Sequence, residues 1–330
     1  MKNKIYRWES SFRGKRIAAL DIGSHTTRML VAEYTDSLNV FKALDRKRIY
    51  THLAEGFKGN EKGDLTKEAV KRTSDALKGF VLKARKLGVD RFYAVSTGVA
   101  RRAENAGYFL DTVRDTAGIE IKIISGEREA LLTRRGVIYG SGEVHSDSHV
   151  IFDLGGATTE FIWGDERDLI IRSLPIGALV LKQGYLDSDP PDDDRVRALS
   201  NKVALILDSG LSGEKERLDN IKLTGSGGTA STLAAVINRF GVREIIPERI
   251  NGLVLGQAQI HGFIDRISHM PFSARRRIRG MEKGRAEVVL AGALAVAGIM
   301  RFFNSIEMTV SYSDILEGII ISYIMEEDNE

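Results

Sequence analysis

The stretch Ile151-Phe152-Asp153-Leu154-Gly155-Gly156-Ala157-Thr158-Thr159-Glu160 constrains this chain more than any other. An apolar run from His149 to Leu154 carries an acid near its end. Two glycines follow, then two hydroxyls, then a second acid ahead of Phe161-Ile162-Trp163. The pattern predicts a buried strand, a tight turn and a strand running back. Glycine has no Cβ, so the backbone at Gly155 and Gly156 can approach a ligand and aim N–H groups at an anion. Asp153 and Glu160 flank the turn and could hold a divalent cation through oxygen. Alone, the stretch reads equally well as a hairpin whose polar residues cap its turn.

It does not stand alone. Asp21-Ile22-Gly23-Ser24-His25-Thr26-Thr27-Arg28 follows the apolar run Ile17 to Leu20 and precedes another, Met29 to Ala32. Laid over Asp153 to Glu160 it repeats the pattern D-(I/L)-G-x-x-T-T and ends in a charge, at an offset of 132 residues. A repeat of that size predicts two related halves, each offering a glycine turn to a shared cleft. The chain has 330 residues, which by itself favours two domains over one core.

Composition excludes several classes. There is no cysteine, hence no disulfide framework, thiolate chemistry or Cys-based zinc site, which fits the cytoplasm. Met1 to Arg16 is polar and basic, a loose extension without the apolar centre of a secretory signal. The longest apolar run, Val288 to Met300, is too short to span a bilayer and predicts a buried helix, so no membrane partner is expected. A net charge of +3 gives no reason to expect specific nucleic-acid binding.

Between the two turns lie further strands and helices. Val40 to Tyr50 reads as a strand, Ala54 to Gly63 as a loop, and Thr66 as the N-cap of a helix reaching Gly88. Strand Arg91 to Ser96 leads through Ser96-Thr97-Gly98 into a helix holding Arg101 and Arg102, an order that suits anion binding. Strand Ile119 to Ile124 leads into Ser125-Gly126-Glu127-Arg128-Glu129-Ala130, a capped helix whose early acids the helix dipole favours. Gly140 to Ser148 is a polar connector. Asp187 to Asp194, with five aspartates, reads as a solvated loop entering a helix from Arg195 to Leu211. Strand Ile221 to Thr224 precedes a third glycine turn, Gly225-Ser226-Gly227-Gly228-Thr229, opening a helix from Thr232. Arg275, Arg276, Arg277, Arg279, Lys283 and Arg285 form a basic run, either a solvated face or a track for a polyanion.

The order of these pieces resembles the exopolyphosphatase and guanosine-pentaphosphate phosphohydrolase family, within the superfamily of actin, sugar kinases and Hsp70. The resemblance runs from Arg16 to Ile324 and rests on the three glycine turns, on Ser96 to Ala103, and on Ser125-Gly126-x-x-Glu129-Ala130. That last piece sets this family apart from actin-like ATPases and sugar kinases. The chain looks like the short form, without a C-terminal helical extension. The resemblance implies an α/β fold of two actin-like (ribonuclease H-like) domains facing across a central cleft. The first would comprise 1–125, with the C-terminal helix of 302–330 packing back onto it, and the second 126–301.

It also implies the chemistry: hydrolytic removal of the terminal phosphate of inorganic polyphosphate or of guanosine pentaphosphate. Glu129 matches the catalytic glutamate that activates a water. Asp153, Glu160 and Asp21 match acids around Mg²⁺, or Mn²⁺ in its place. Arg101 matches a phosphate-binding arginine. Gly23, Ser24, Gly155, Gly156, Gly227, Gly228 and Thr229 would bind phosphate oxygens. The basic run could hold the rest of a long chain and give processivity. Members of such a family often dimerise, so a homodimer is expected.

Three departures bear on activity. His25 stands where the family usually has Asn, Ala157 where it has a third glycine, and Ser313-Asp314-Ile315-Leu316-Glu317-Gly318 lacks the Arg of the family's common Ser-Asp-x-x-Arg-Glu-Gly and is one residue shorter, with Glu317 the charge that is left. Together they support the alternative of a polyphosphate or alarmone sensor that binds without turnover. An ATP-using kinase or ATPase of the same superfamily is a second alternative, against which Ser125 to Ala130 argues.

Overall fold

The computed structural model describes residues 14–35, 41–57, 62–89, 91–141, 149–164, 168–217 and 221–327. Most of the expected N-terminal extension and of the Gly140 to Ser148 connector lies outside the described residues, as does part of the Ala54 to Gly63 loop. The chain divides into two compact units, one drawn from Met1–Gly136 and Ile315–Glu330, the other from Val137–Asp314.

The first unit opens with β1 (Arg16–Ile22), β2 (Thr26–Tyr34) and β3 (Phe41–Tyr50), an antiparallel meander. Then come α1 (Lys67–Lys86), β4 (Arg91–Ser96), α2 (Val99–Arg102), α3 (Ala106–Ala117) and β5 (Ile121–Ile123). The sheet order is β3-β2-β1-β4-β5, with β4 parallel to both β1 and β5. β1 is a continuous apolar run because it is covered on both faces: every residue from Ile17 to Ile22 is buried. α1 starts where the sequence predicts, with Ala69 N donating to Thr66 Oγ1 at 3.1 Å. Its apolar stripe (Val70, Leu77, Phe80, Val81) packs with Leu20, Ile22 and Phe109 in one core. The unit boundary falls within α4 (Gly126–Ser141).

The second unit repeats the plan. β6 (His149–Leu154), β7 (Thr159–Trp163) and β8 (Ile170–Leu174) form the meander. They are followed by α5 (Ala178–Tyr185), α6 (Asp193–Leu211), β9 (Lys222–Ser226), α7 (Gly227–Ile237) and α8 (Pro247–Ile250). The unit continues with β10 (Leu253–Gly256), α9 (Gln257–Ser268), α10 (Phe272–Arg275), α11 (Val289–Phe302) and β11 (Glu307–Val310). Its sheet runs β10-β11-β9-β6-β7-β8, with β9 parallel to β6 and to β11. Meander, central strand and two parallel strands thus recur in the same order, with β10 added at one edge.

α11 is buried from Val289 to Met300, which is why its sequence is apolar all round. It is the helix expected of Val288 to Met300, and among the described residues no helix is long and apolar enough to cross a membrane. Gly298 lets α11 approach α6 closely: a Cβ there would stand 2.6 Å from Val203 Cγ1. β11 belongs to the second sheet, so the segment grouped with the first unit is α12 (Ile315–Glu327) and does not begin at 302. α12 packs on β1 and β2, and Gly318 admits the carbonyl of Leu132 on α4, which a Cβ would overlap.

Candidate active site

In the first unit, the ends of parallel strands assemble a cluster. The Ile22 carbonyl, at the end of β1, accepts from Ser96 Oγ (3.0 Å) and Thr97 N (3.3 Å), and Ile124 N donates to Ser96 O (3.1 Å). The C-terminal ends of β1, β4 and β5 are thereby tied together, at the edge where open α/β sheets bind ligands. Gly23 N donates to Thr26 O at 3.0 Å and closes the first glycine turn. Ser24 Oγ lies 3.3 Å from the place of a Cβ on Gly98, whose φ is +40°. The two loops meet where only glycine fits.

α2 is a single turn without a side-chain cap, too short for its N-terminus to act as the anion site that the strand-loop-helix order predicts. Its contribution is Arg101. Ser125 starts α4 by accepting at Oγ from Arg128 N (3.1 Å) and at its carbonyl from Glu129 N (3.0 Å). This fixes Glu129 in the first turn, where Arg101 Nη1 reaches its Oε2 at 3.0 Å while also donating to Ile124 O at 2.8 Å. The expected base and the expected phosphate-binding arginine are therefore in contact, 30% and 33% exposed. Asp21 is otherwise engaged. It is 6% exposed, and its Oδ2 accepts from Arg28 Nε (2.9 Å) and Nη2 (2.6 Å), across the β1–β2 pair. Arg28 thus sits against one oxygen of a carboxylate expected to face a cation.

In the second unit, Gly155 N donates to Thr158 O at 2.9 Å, the counterpart of Gly23 and Thr26. Asp153 stands opposite Glu160, as Asp21 stands opposite Arg28. Directly opposed residues of an antiparallel pair share one sheet face, so these carboxylates lie side by side. Ser173 Oγ holds Glu160 Oε1 at 2.9 Å. Gly155, Gly156 and Ala157 are exposed. Their loop is held from behind: the Gly155 and Gly156 carbonyls accept from Ala178, Leu179 and Val180 at the start of α5.

The third turn joins the second through the sheet, since Ser226 stands opposite Asp153 on the parallel β6–β9 pair. α7 starts at Gly227, five residues before the expected Thr232. Gly227 takes a φ of +87°, which a glycine adopts at no steric cost. The first-turn N–H groups of α7 have no side-chain cap, and the fully buried Ser226 Oγ has no hydrogen-bond partner. A Cβ on Gly227 would overlap Asp153 Oδ1, and one on Gly228 would overlap the Arg285 guanidinium. Asp153, the start of α7 and Arg285 thus share one place. Thr229 is 3% exposed and packs toward Gly292 of α11, so it can offer a ligand its backbone but not its hydroxyl.

Sequence reasoning did not single out Arg285, because nothing local separates it from its basic neighbours. That run is also not uniform. Arg275 is 5% exposed, and its Nη2 donates to Asp189 Oδ1 at 2.8 Å, so it is no part of a solvated track. Asp189 in turn is no free loop acid, since it also accepts from Phe272 N at 2.8 Å. Arg276, Arg277 and Arg279 are exposed. Glu317 is buried and ion-paired with Arg46 of β3. It serves the interior of the first unit.

Among the described residues no group of three or more His, Cys, Asp or Glu could hold a metal. Asp153 and Glu160 make a two-carboxylate site. Mg²⁺ accepts such a site because it keeps several waters and takes further oxygens from substrate phosphates. The absence of a Cβ on Gly227 is what lets the Asp153 carboxylate approach the start of α7.

A profile of the Ppx/GppA phosphatase family matches residues 30–327. Exopolyphosphatase 2 of Mycobacterium tuberculosis is 28% identical over 320 residues, covering 93% of this chain and 98% of that protein. Guanosine-5'-triphosphate,3'-diphosphate pyrophosphatase of Aliivibrio fischeri is 28% identical over 94% of this chain, which spans 59% of that protein's length. The crystal structure of the Aquifex aeolicus member of the Ppx/GppA family aligns with a TM-score of 0.79 at 28% identity, over 96% of this chain and 99% of that one. The expected fold class, α/β with two actin-like domains, holds.

Proposed function

The chain belongs to the Ppx/GppA phosphatase family, and on that premise we propose that it removes the terminal phosphoryl group of inorganic polyphosphate or guanosine pentaphosphate by attack of a water that Glu129 deprotonates. One observation carries this reading: the contact of Arg101 Nη1 with Glu129 Oε2 at 3.0 Å, on a helix start whose cap fixes the carboxylate. A general base has to be positioned before it can be basic. Arg101 spends only Nη1 on Glu129 and on the Ile124 carbonyl, and its Nε and Nη2 have no protein acceptor among the described residues. It can therefore orient the base and offer phosphate oxygens a second edge of the same guanidinium.

Phosphoryl transfer is mostly positioning and charge neutralisation. The turns at Gly23-Ser24 and Gly155-Gly156, and the uncapped start of α7 at Gly227-Gly228, supply N–H donors for phosphate oxygens. Arg285 beside Gly228 adds a guanidinium. Asp153 and Glu160 would hold Mg²⁺ or Mn²⁺. When bound, the cation would neutralise charge on phosphate oxygens. Asp21 is left out of this set because Arg28 holds it. The water oxygen bonds to the terminal phosphorus while its proton passes to a Glu129 oxygen, the bridging P–O bond breaks, and orthophosphate and the chain shortened by one unit are released as separate products.

The binding-only alternative loses one of its three supports, because Glu317 answers to Arg46 in the interior of the first unit. His25 and Ala157 remain exposed at their turns. The deciding experiment is phosphate release with Mg²⁺ from long-chain polyphosphate, guanosine pentaphosphate and ATP in parallel, with Glu129→Gln beside the native protein. Release from one of the first two, reduced about 10²- to 10⁴-fold in the variant, is the expected result. Tight binding of either without release would establish the sensor instead.

A further inference from the structure

Beside the β4–β5 pair, α4 and α12 enclose a cavity of about 420 Å³, within the size range of small-molecule sites. Every residue that lines it belongs to the first unit. Its walls are mostly apolar. The rings of Tyr93 on β4 and Tyr323 on α12 stand with centroids 4.2 Å apart, and Ile319, 5% exposed, lies one turn before Tyr323. Side chains alternate along a strand, and here Glu120, Lys122 and Ile124 take the side of the cavity.

The charges at this place are unbalanced. Lys122 and Glu120 are both exposed, and neither has a hydrogen bond or an ion pair among the described residues. Arg128 adds a second basic residue to the lining, against the one acid. An ammonium without a protein partner favours an anionic group on a ligand, and tyrosine rings favour an aromatic body.

The cavity also adjoins the segment that carries Glu129. Ile124 gives its carbonyl to Arg101 Nη1 at 2.8 Å, and Arg128 N donates to Ser125 Oγ at 3.1 Å in the turn that sets Glu129. The opposite wall is fastened to the same helix. Arg135 Nη1 of α4 donates to Ser322 Oγ of α12 at 2.9 Å, and Gly318 lies against the Leu132 carbonyl. The shape of the cavity and the place of the α4 first turn therefore depend on each other.

We propose that this cavity is an effector site for a small organic anion with an aromatic body, held at Lys122, and that its ligand raises the rate of phosphate release. The second half rests on the phosphohydrolase reading of Glu129. The cavity is open in the same arrangement in which Arg101 meets Glu129. A ligand that fits it binds this arrangement better than one with the α4 first turn displaced, and shifts the population by that difference.

The test is a fluorescence titration of anilinonaphthalene sulfonate into the full chain, beside phosphate release from long-chain polyphosphate with Mg²⁺, with and without the probe. Lys122→Glu should weaken probe binding about tenfold, the worth of one charge-assisted hydrogen bond, and Lys122→Arg should keep it. Ile319→Phe puts a ring into the cavity and should abolish binding. Lys122 is exposed, so its reversal reads the site independently of how well Ile319→Phe packs. The probe should raise release about fivefold in native and Lys122→Arg protein. Coincident titrations of native, Lys122→Glu and Ile319→Phe protein would overturn the site and leave the hydrolase reading standing. Binding that the variants lose, with release indifferent to the probe, would overturn the effector role. No release from native protein, with the probe still bound through Lys122, would overturn the hydrolase reading and the effector role together.

Discussion

Arg101 is where residue identity can be tested against residue charge. Its guanidinium makes two bonds with Nη1 alone, to Glu129 and to Ile124, and lysine can reproduce the charge but not the fork. Arg101→Lys should therefore lower kcat/KM about 10- to 100-fold with the melting temperature nearly unchanged, since both partners are a third exposed. Steady-state kinetics beside a thermal melt check it. Glu317 is the opposite case. Its side chain is 3% exposed, and its partner Arg46 is 21% exposed. Removing the charge of the buried member of such a pair costs about 3 kcal/mol. Glu317→Gln should lower the urea midpoint by a corresponding amount, and equilibrium unfolding would detect it. If Glu317 instead had replaced a phosphate-binding arginine, Glu317→Arg would restore activity at no cost in stability, and that is not the expected result.

At the scale of elements, helix packing depends on glycines that no local pattern reveals. Gly298→Ala puts a methyl 2.6 Å from Val203 Cγ1 and should destabilise by about 1–3 kcal/mol, as overpacking does, measurable by urea unfolding. A short capped turn gives a pH-dependent prediction. Glu244 accepts from Gly241 N at 2.7 Å and pairs with Arg249 and Arg279. The Gly241 N–H bond, more than the two arginines, holds its carboxyl below the ordinary 4.5. Its contribution is present above that value and is lost as pH falls through the depressed one. Glu244→Gln should lower the melting temperature at pH 7, and the gap to native protein should close as the pH drops below about 4.5. A gap that stayed constant would contradict it.

The strands and glycine turns were legible because β1, β6 and β9 are covered on both faces and end in residues only a tight turn uses. The start of α7 was not, because glycine is a poor helix former, and Gly227-Gly228 reads as loop until its backbone is seen. Arg275, Arg285 and Glu317 were opaque for another reason. Their partners lie 86 positions away for Arg275 (Asp189) and 271 away for Glu317 (Arg46), and Arg285 is placed by its approach to Gly228. Sequence spacing carries no trace of such pairings.

The whole molecule is two versions of one plan, and the two differ in the residue that faces the Asp. Each half has a central strand whose second-last residue is Asp, a turn closed by a glycine N–H to a threonine carbonyl, and a residue directly opposite the Asp. In the first half that residue is Arg28, and the Asp21 charge is met within the protein. In the second it is Glu160, so two carboxylates share a face. Like charges directly opposite are destabilising, and under the proposed function it is this pair that would hold the cation. Glu160→Arg would convert the second half to the arrangement of the first. The variant should melt no lower than native protein without divalent cations, show no Mg²⁺-induced rise in melting temperature, and release no phosphate. Asp21→Asn should keep the Mg²⁺ response while losing stability, because Arg28 then lacks its carboxylate. Differential scanning fluorimetry with and without Mg²⁺ reads all three proteins side by side. A Mg²⁺ response that survived Glu160→Arg but vanished in Asp21→Asn would place the cation in the first half, against the charges that the two halves present.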